Sequence, residues 1–232
     1  AVGMELCPAL GISIPVGKDS LSMRTQWTAN ASTESAAAQA KKVVSPVSLI
    51  VTAFASIDDT RLTLTPQLNR EIDDSSLLLI DLGAGKNRMG GSVLLQTQNT
   101  IGAQVPDLDN AQDLVNLVKA VNALRAKGLV LAYHDKSDGG LLAAVAEMAF
   151  AGNVGVALNV DMLLVQGNGI SDSRMDVGDS KNWASQVGVV RHEQTLNALF
   201  NEELGVVLQV PTAYLFCIED DLAEHILAKC SI

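Results

Sequence analysis

The clearest periodic pattern along the chain is helical, and it lies in residues 109–128. Apolar residues recur there three or four positions apart, as they do on one face of an α-helix. They are Leu114, Leu117, Val118, Val121 and Leu124, and Gly128 follows them as a stop signal. Residues 138–153, "DGGLLAAVAEMAFAGN", are rich in alanine and leucine and end on a glycine and an asparagine. This composition and this ending predict a second helix.

Shorter apolar runs bounded by turn residues predict strands. Residues 46–57, "PVSLIVTAFASI", are apolar at odd and even positions, which is typical of a strand covered on both faces. Residues 60–65, "TRLTLT", alternate, so they predict a strand with one solvent-exposed face. Further strands are predicted at residues 12–16, 129–133 and 154–160 and after Gly205, and further helical turns at residues 1–10, just before the "NEE" of 201–203, and at residues 220–230.

Two polar segments interrupt these patterns. Residues 28–45 have the composition of a solvated loop or a marginal surface helix, and we interpret them as an insertion. A second loop insertion is predicted near residues 161–190, where Gly, Ser, Asp and Asn are dense. The polar stretch "NREIDDSS" predicts a domain boundary near residue 70. Alternating strands and helices on both sides of it predict an α+β or mixed α/β fold.

Composition narrows the possible functions. The chain has 232 residues, 48% of them hydrophobic, so it can bury a sizeable core. Its net charge of -10 argues against a nucleic-acid partner. The apolar stretches are shorter than the roughly 20 residues that a membrane span needs. Three cysteines fit neither a zinc motif nor a disulfide framework, which favours the cytoplasm. The chain lacks an initial methionine and starts in a helical pattern, so we expect a piece of a longer protein.

The segment "AYHDKSDGG", residues 132–140, combines two carboxylates and a hydroxyl at a predicted strand-to-helix joint. Asp135 and Ser137 are two positions apart, so in an extended segment they point to the same side. Carboxylate and hydroxyl oxygens suit Mg²⁺, which often shares its coordination with substrate phosphates. Gly139 and Gly140 would let a phosphate approach the amides at the helix start.

A structural interpretation of the same segment stays open at this point. Ser137 or Asp138 could cap the helix, which stabilises it by about 1 kcal/mol. His134 is more often a structural hydrogen-bonding residue than a ligand, and Lys136 is more often solvated than catalytic.

Two other polar clusters are weaker candidates. Residues 15–23, "PVGKDSLSM", offer Lys18 as a point charge and Ser20 as a hydroxyl donor for a phosphate, but they lack the spacing of a P-loop. A surface turn is the alternative. The "NEE" of residues 201–203 is a third acidic cluster, for which solvation at a helix end is the simplest interpretation.

Several blocks of the sequence together resemble one enzyme family. They are "AVGMELCPALGISIPVGKDSLSMRTQW", "SPVSLIVTAFASIDDTRLTLTPQL", "AYHDKSDGGLLAAVAEMAFAGN" and "LFNEELG". In this order they resemble blocks of the large, single-chain phosphoribosylformylglycinamidine synthases, also called formylglycinamide ribonucleotide amidotransferases. The resemblance implies an ATP-dependent amidoligase of purine biosynthesis that converts formylglycinamide ribonucleotide, ATP and glutamine into the amidine, ADP, phosphate and glutamate.

The resemblance also implies an architecture similar to aminoimidazole ribonucleotide synthetase. Residues 1–70 would be the end of an N-terminal-type (A) domain, and residues 71–232 most of a C-terminal-type (B) domain of the second synthetase unit. The rest of the parent chain, including a glutaminase domain that supplies ammonia, would be its partner. We therefore expect this chain alone to be inactive.

Carried over by position, the resemblance assigns a Mg²⁺ ligand to Asp135, a nucleotide contact to Ser137 and a second metal position to Asp138. It places Lys18, Asp19 and Ser20 near the phosphates of ATP or ADP, and it assigns no catalytic residue. Two alternatives to a catalytic site remain. One is a non-catalytic module with a structural Mg-ADP or scaffold role, and the more distant one is a stand-alone small-molecule kinase.

Overall fold

The computed structural model describes residues 2–20, 23–29, 39–45, 48–160, 163, 183–215, 218 and 230–231. They fall into two compact units, Ala1–Thr60 and Arg61–Ile232. The domain boundary predicted near residue 70 lies ten residues beyond this division, and the assignment of A-type and B-type domains stays a prediction.

The first unit contains a helical turn and a hairpin. A π-helical turn, Val2–Leu6, continues into α1, Cys7–Leu10, which ends at Gly11 in the left-handed conformation with φ 70°. The predicted end of a helix at this point is confirmed. Strands β1, Arg24–Ala29, and β2, Gln39–Val44, pair antiparallel with Arg24 opposite Val44.

Three predictions in the first unit are wrong. Residues 12–16 form no strand, and part of the predicted 28–45 loop belongs to the hairpin, because antiparallel pairing satisfies its backbone groups. Residues 30–38 lie outside the described residues. Residues 48–57 form no strand either, and Phe54 is 93% exposed. A doubly covered strand needs neighbours on both sides, and the described part of this unit places none beside it.

The second unit is built on a four-stranded sheet in the order β4-β5-β3-β6. Its strands are β3, Ser75–Asp81; β4, Ala132–Lys136; β5, Gly205–Pro211; and β6, Cys230–Ser231. Every described pairing is antiparallel, and Leu208 of β5 lies opposite both Leu78 of β3 and Tyr133 of β4.

The helices of this unit are α2, Val93–Thr97; α3, Ala111–Ala126; α4, Gly140–Gly152; and α5, Trp183–Phe200. Helix α3 begins where the Asn110 side chain accepts a hydrogen bond from the Gln112 amide at 3.1 Å, and Gly128 follows its end with φ 69°. Helix α4 ends at Asn153 in the left-handed conformation. The predictions of both helices are confirmed.

Apolar side chains cover both faces of the sheet because strand residues alternate between faces. On one face, Leu78, Ile80 and Leu208 pack with Leu117, Ala120 and Leu124 of α3. On the other, Ala132 and Val207 pack with Leu141, Ala144, Val145 and Met148 of α4. An antiparallel sheet with helices on both faces confirms the α+β, mixed fold class.

Strand positions were predicted less well than helices in this unit. Residues 60–65 and 154–159 form no strand, and the strand expected at 129–133 is shifted to β4. These short runs share their apolar character with ordinary packed loops, so composition alone does not distinguish them. The strand after Gly205 is confirmed as β5.

The insertion predicted near residues 161–190 is only partly correct. Its last residues belong to α5, which starts at Trp183, because helical backbone continues there without a break up to Phe200. Residues 161–162 and 164–182 lie outside the described residues, as does residues 219–229 of the helix predicted at 220–230. Cys230, the last residue of that prediction, is in β6. Among the helices of the described residues, none has the length and hydropathy that a membrane span requires.

Candidate functional site

The acidic segment, defined here as Asp135–Gly139, begins inside β4 rather than after it. The strand was expected to end at Tyr133, but it continues to Lys136 because its backbone pairs with β5 down to Gly205. Since β4 and β5 are antiparallel, the rule that ligands gather at the carboxyl ends of parallel strands does not apply here. Alternation along β4 instead decides which side chains face solvent.

The oxygen-bearing side chains of the acidic segment are accessible. Asp135, Ser137 and Asp138 are all exposed, and the Asp135 side chain is 66% exposed. Neither Ser137 nor Asp138 caps α4, because the cap position is Gly139, at φ 83°, and it makes no side-chain cap hydrogen bond. The capping interpretation of the segment is therefore wrong.

His134 has a structural role, as expected for a histidine in this position. Its Nε2 atom lies 2.7 Å from Oε2 of Glu147 in α4, and its Nδ1 atom lies 2.8 Å from the carbonyl oxygen of Asp135. These contacts fasten the strand end to the helix that follows.

Lys136 is buried, so the expectation that it is solvated is wrong. Its Nζ atom donates to Oδ1 of Asp81 at 2.8 Å and to Oδ1 of Asn201 at 2.9 Å. Gly205 stands opposite both Asp81 and Lys136 in the ladder, and a Cβ there would lie 3.5 Å from Lys136 Cε. The absence of a side chain at Gly205 lets the lysine cross the middle strand to reach the aspartate.

The "NEE" corner, Asn201–Glu203, connects α5 to β5, and it is not the solvated helix end that we expected. Asn201 and Glu203 are only 1% and 0% exposed. The Asn201 side-chain amide donates to Oδ1 of Asn87 at 3.1 Å and to the carbonyl oxygen of Asn197 at 2.7 Å. Asn201 thus joins Lys136 to the loop that follows β3.

Glu203 pairs with Arg88 through both carboxylate oxygens. Arg88 Nε donates to Oε1 at 2.6 Å and Nη2 donates to Oε2 at 2.7 Å, while the Arg88 amide also donates to Oε1 at 3.0 Å. The hydrogen bonds from Arg88 to Glu203 raise the pKa of the guanidinium. A Cβ on Gly83 would lie 2.6 Å from Glu203 Cγ, so the loop must have glycine there.

Glu202 accepts the amides that were expected to remain free for a phosphate. Its Oε1 atom accepts the Gly139 amide at 2.9 Å and the Val93 amide at 2.8 Å. The Gly140 amide donates to the Ser137 carbonyl oxygen at 2.9 Å. A Cβ on Gly140 would lie 2.6 Å from the Asn201 carbonyl oxygen, so this glycine is required by packing against the corner rather than by a phosphate.

The turn at residues 17–20 belongs to the first unit. Lys18, Asp19 and Ser20 are exposed, and Lys18 Nζ donates to the hydroxyl of Ser20 at 3.0 Å and to the carbonyl oxygen of Asp19. The lysine and serine selected from the sequence are therefore adjacent in space.

The candidate metal ligands lie on an open surface. A cavity of about 690 Å³ lies on the α4 face of the sheet, where Leu77, Leu79 and Val207 line it, and residues 135–138 do not. In the described part of the chain, no group of three or more His, Cys, Asp or Glu side chains is placed to hold a metal ion. A cation at Asp135 would therefore take few ligands from these residues.

Sequence reasoning missed Asp81, Arg88 and the structural importance of Glu202. The available signal was the density of glycines in residues 83–92, "GAGKNRMGGS", directly after an apolar run. Such density indicates close backbone approach, but it does not say which distant side chains fill the space.

Residues 76–231 match the family model described as AIR synthase related protein, C-terminal domain. The chain belongs to this family. Residues 1–56 match the model of the FGAR-AT PurM_N-like domain, so the resemblance found from the sequence blocks is confirmed.

Solved structures show the same fold. Thermotoga maritima PurL complexed with FGAR has a TM-score of 0.52 and 14% identity, over 83% of this chain and 26% of that chain. The T. maritima PurL complex with ATP has a TM-score of 0.47 and 14% identity, over 82% and 23% of the two chains. Thiamine-monophosphate kinase from Stenotrophomonas maltophilia K279a gives 0.40 and 19%, over 72% and 48%. The chain spans about a quarter of the length of the PurL structures that it matches.

Replacing Asp135 with Asn is expected to lower the pKa of Tyr133, the neighbour two positions before it in β4. Burial raises the pKa of Tyr133 above 10.0, and the Asp135 charge raises it further by repelling the phenolate. A pH titration of phenolate absorbance measures the change, with Tyr214→Phe in both proteins so that only Tyr133 reports. An unchanged pKa would mean that the carboxylate does not act on this tyrosine.

Replacing Arg88 with Ala is expected to cost about 3 kcal/mol of unfolding free energy, because it leaves a buried carboxylate unpaired. Urea unfolding measures the loss. Adding Glu203→Gln should restore part of the stability, since the buried charge is then removed. Lys86→Ala, which breaks only the exposed pair with Asp109, should change stability little. Equal losses in the single and double variants would contradict this account.

Proposed function

We propose that this chain contributes a Mg²⁺–nucleotide site to an ATP-dependent ligase of the formylglycinamide ribonucleotide amidotransferase type. The observation that carries the proposal is the exposure of Asp135, Ser137 and Asp138 on a joint whose other residues are held by buried hydrogen bonds. Membership of the AIR synthase related family supports it, and so does the printed description of a relative of the same fold as complexed with FGAR.

The donor set of the acidic segment fits Mg²⁺. Asp135 and Asp138 offer hard carboxylate oxygens that solvent can reach, and Mg²⁺ in nucleotide sites uses one or two carboxylates together with phosphates and waters. When bound, the cation neutralises charge on the polyphosphate. In this proposal Asp135 and Asp138 hold the cation, Ser137 donates its hydroxyl to the nucleotide, and the rigid β4–α4 joint keeps these groups in place.

The turn at residues 17–20 is proposed as a second phosphate contact. Lys18 supplies positive charge and Ser20 supplies a hydroxyl, and their hydrogen bond already places the two groups together. A point charge of this kind suits phosphate binding. Asp19 is proposed to lie near the same phosphates.

The reaction of the whole protein follows from the family. The proposed substrates are formylglycinamide ribonucleotide, ATP and ammonia from glutamine, and the proposed location is the cytoplasm. The proposal places residues 1–70 in an A-type domain and residues 71–232 in a B-type domain, with the remaining domains of the parent chain as partners. The chain alone is then expected to lack synthetase activity, and turnover by the 232-residue chain would contradict this.

One observation favours a second candidate, a structural nucleotide site. Glu202, not a ligand, occupies the Gly139 amide at the start of α4, and Ser137 occupies the Gly140 amide. A nucleotide at the acidic segment would then mainly stabilise the fold, as bound ligands do by mass action.

Replacing Asp135 with Ala in the full-length protein is expected to weaken Mg-ATP binding by about tenfold or more, which corresponds to about 1.4 kcal/mol. Isothermal titration calorimetry measures the affinity. Asp73→Ala, which removes an exposed carboxylate outside the acidic segment, is the matched control and should bind normally.

The same variant separates the two candidates. Lost turnover with an unchanged melting temperature indicates a catalytic site, whereas loss of the stabilisation that Mg-ATP gives, with turnover retained, indicates a structural one. Normal Mg-ATP affinity in Asp135→Ala would refute both.

A further inference from the structure

Glu202 connects two loops that are far apart in the sequence. A single oxygen, Oε1, accepts the Val93 amide at 2.8 Å and the Gly139 amide at 2.9 Å. Val93 begins α2 and follows the glycine loop, defined here as residues 83–92, and Gly139 closes the acidic segment before α4. Because the carboxylate is ionised, both bonds are charge-assisted and stronger than neutral ones.

The residues beside Glu202 contact the same two loops. Asn201 accepts from Lys136, next to Asp135, and donates to Asn87 in the glycine loop. Glu203 accepts from Arg88 of that loop. The corner therefore touches the glycine loop through all three of its side chains and the acidic segment through two of them.

Close backbone packing leaves the two loops little freedom to move separately. At Gly140, a Cβ would lie 2.6 Å from the Asn201 carbonyl oxygen, and at Gly90 it would lie 2.4 Å from the Gln104 carbonyl oxygen. Contacts this short to backbone atoms cannot be relieved by a rotamer change. The loops and the corner are packed against each other without intervening side chains.

We propose that Glu202 is a positioning residue that couples the glycine loop to the acidic segment, so that a Mg²⁺–nucleotide held at Asp135 also orders residues 83–92. The functional half of this inference rests on the proposed nucleotide site, whereas the coupling itself rests on the two hydrogen bonds. Glu202 does not contact the nucleotide in this proposal; it acts through the amides of Gly139 and Val93.

Hydrogen exchange of the full-length protein, followed by mass spectrometry with and without Mg-ATP, tests the coupling. In the wild type, Mg-ATP should slow exchange in both the acidic segment and the glycine loop. In Glu202→Ala, the protection should be confined to the acidic segment, and the Mg-ATP affinity should fall by about tenfold, as for residues that orient metal ligands.

Three further variants keep the test informative if the alanine variant folds poorly. Glu202→Gln retains an oxygen that can accept both amides, so it should restore the protection of the glycine loop. Glu202→Asp keeps the charge but is one methylene shorter, so it cannot reach both amides and should behave like alanine. Glu193→Ala, an exposed glutamate of α5, should behave like the wild type.

The outcomes distinguish this inference from the proposed function. Protection of both loops in Glu202→Ala and Glu202→Asp, as in the wild type, would overturn the coupling. If Mg-ATP binds nowhere near Asp135 in the wild type, the nucleotide proposal fails. The nucleotide-free samples then still decide the coupling: faster exchange in both loops of Glu202→Ala, but not of Glu193→Ala, supports it, and unchanged exchange overturns it.

Discussion

The buried carboxylate of Glu203 is the constraint on which the rest of the second unit depends. A fully buried charge is very costly unless it is paired, and Arg88 pairs it with hydrogen bonds to both oxygens. This pairing fixes the loop after β3, requires glycine at position 83 and holds the corner between α5 and β5 in place. The neighbouring Asn201 and Glu202 are then directed toward the strand-to-helix joint at β4 and α4.

The same framework explains why the acidic segment faces solvent. Alternation along β4 turns Lys136 inward, where Asp81 and Asn201 neutralise and bind its ammonium group, and leaves Asp135 outward. The segment therefore combines a rigid base with exposed oxygen atoms. Such a combination suits a site that positions a cation and a nucleotide more than a site that must reshape itself around them.

Local pattern was sufficient for the parts of the fold whose stability is local. Helices α3 and α4 were predicted because their apolar spacing and their terminal Gly128 and Asn153 lie within one segment. Strands at 12–16 and 48–57 were predicted wrongly because a strand depends on neighbours that a local pattern does not reveal. The segment at 135–138 was selected by residue type and resemblance. Its buried support was missed, since the pairs Arg88–Glu203 and Lys136–Asp81 join residues far apart in the chain.

The most direct test of the central claim is paramagnetic broadening of backbone amide signals by Mn²⁺-ATP in the full-length protein. Mn²⁺ accepts the same oxygen ligands as Mg²⁺, so it reports the place of the cation. The account predicts the strongest broadening at Asp135, Ser137 and Asp138, and its loss in the Asp135→Ala variant. Strong broadening elsewhere, with these amides unaffected, would contradict it.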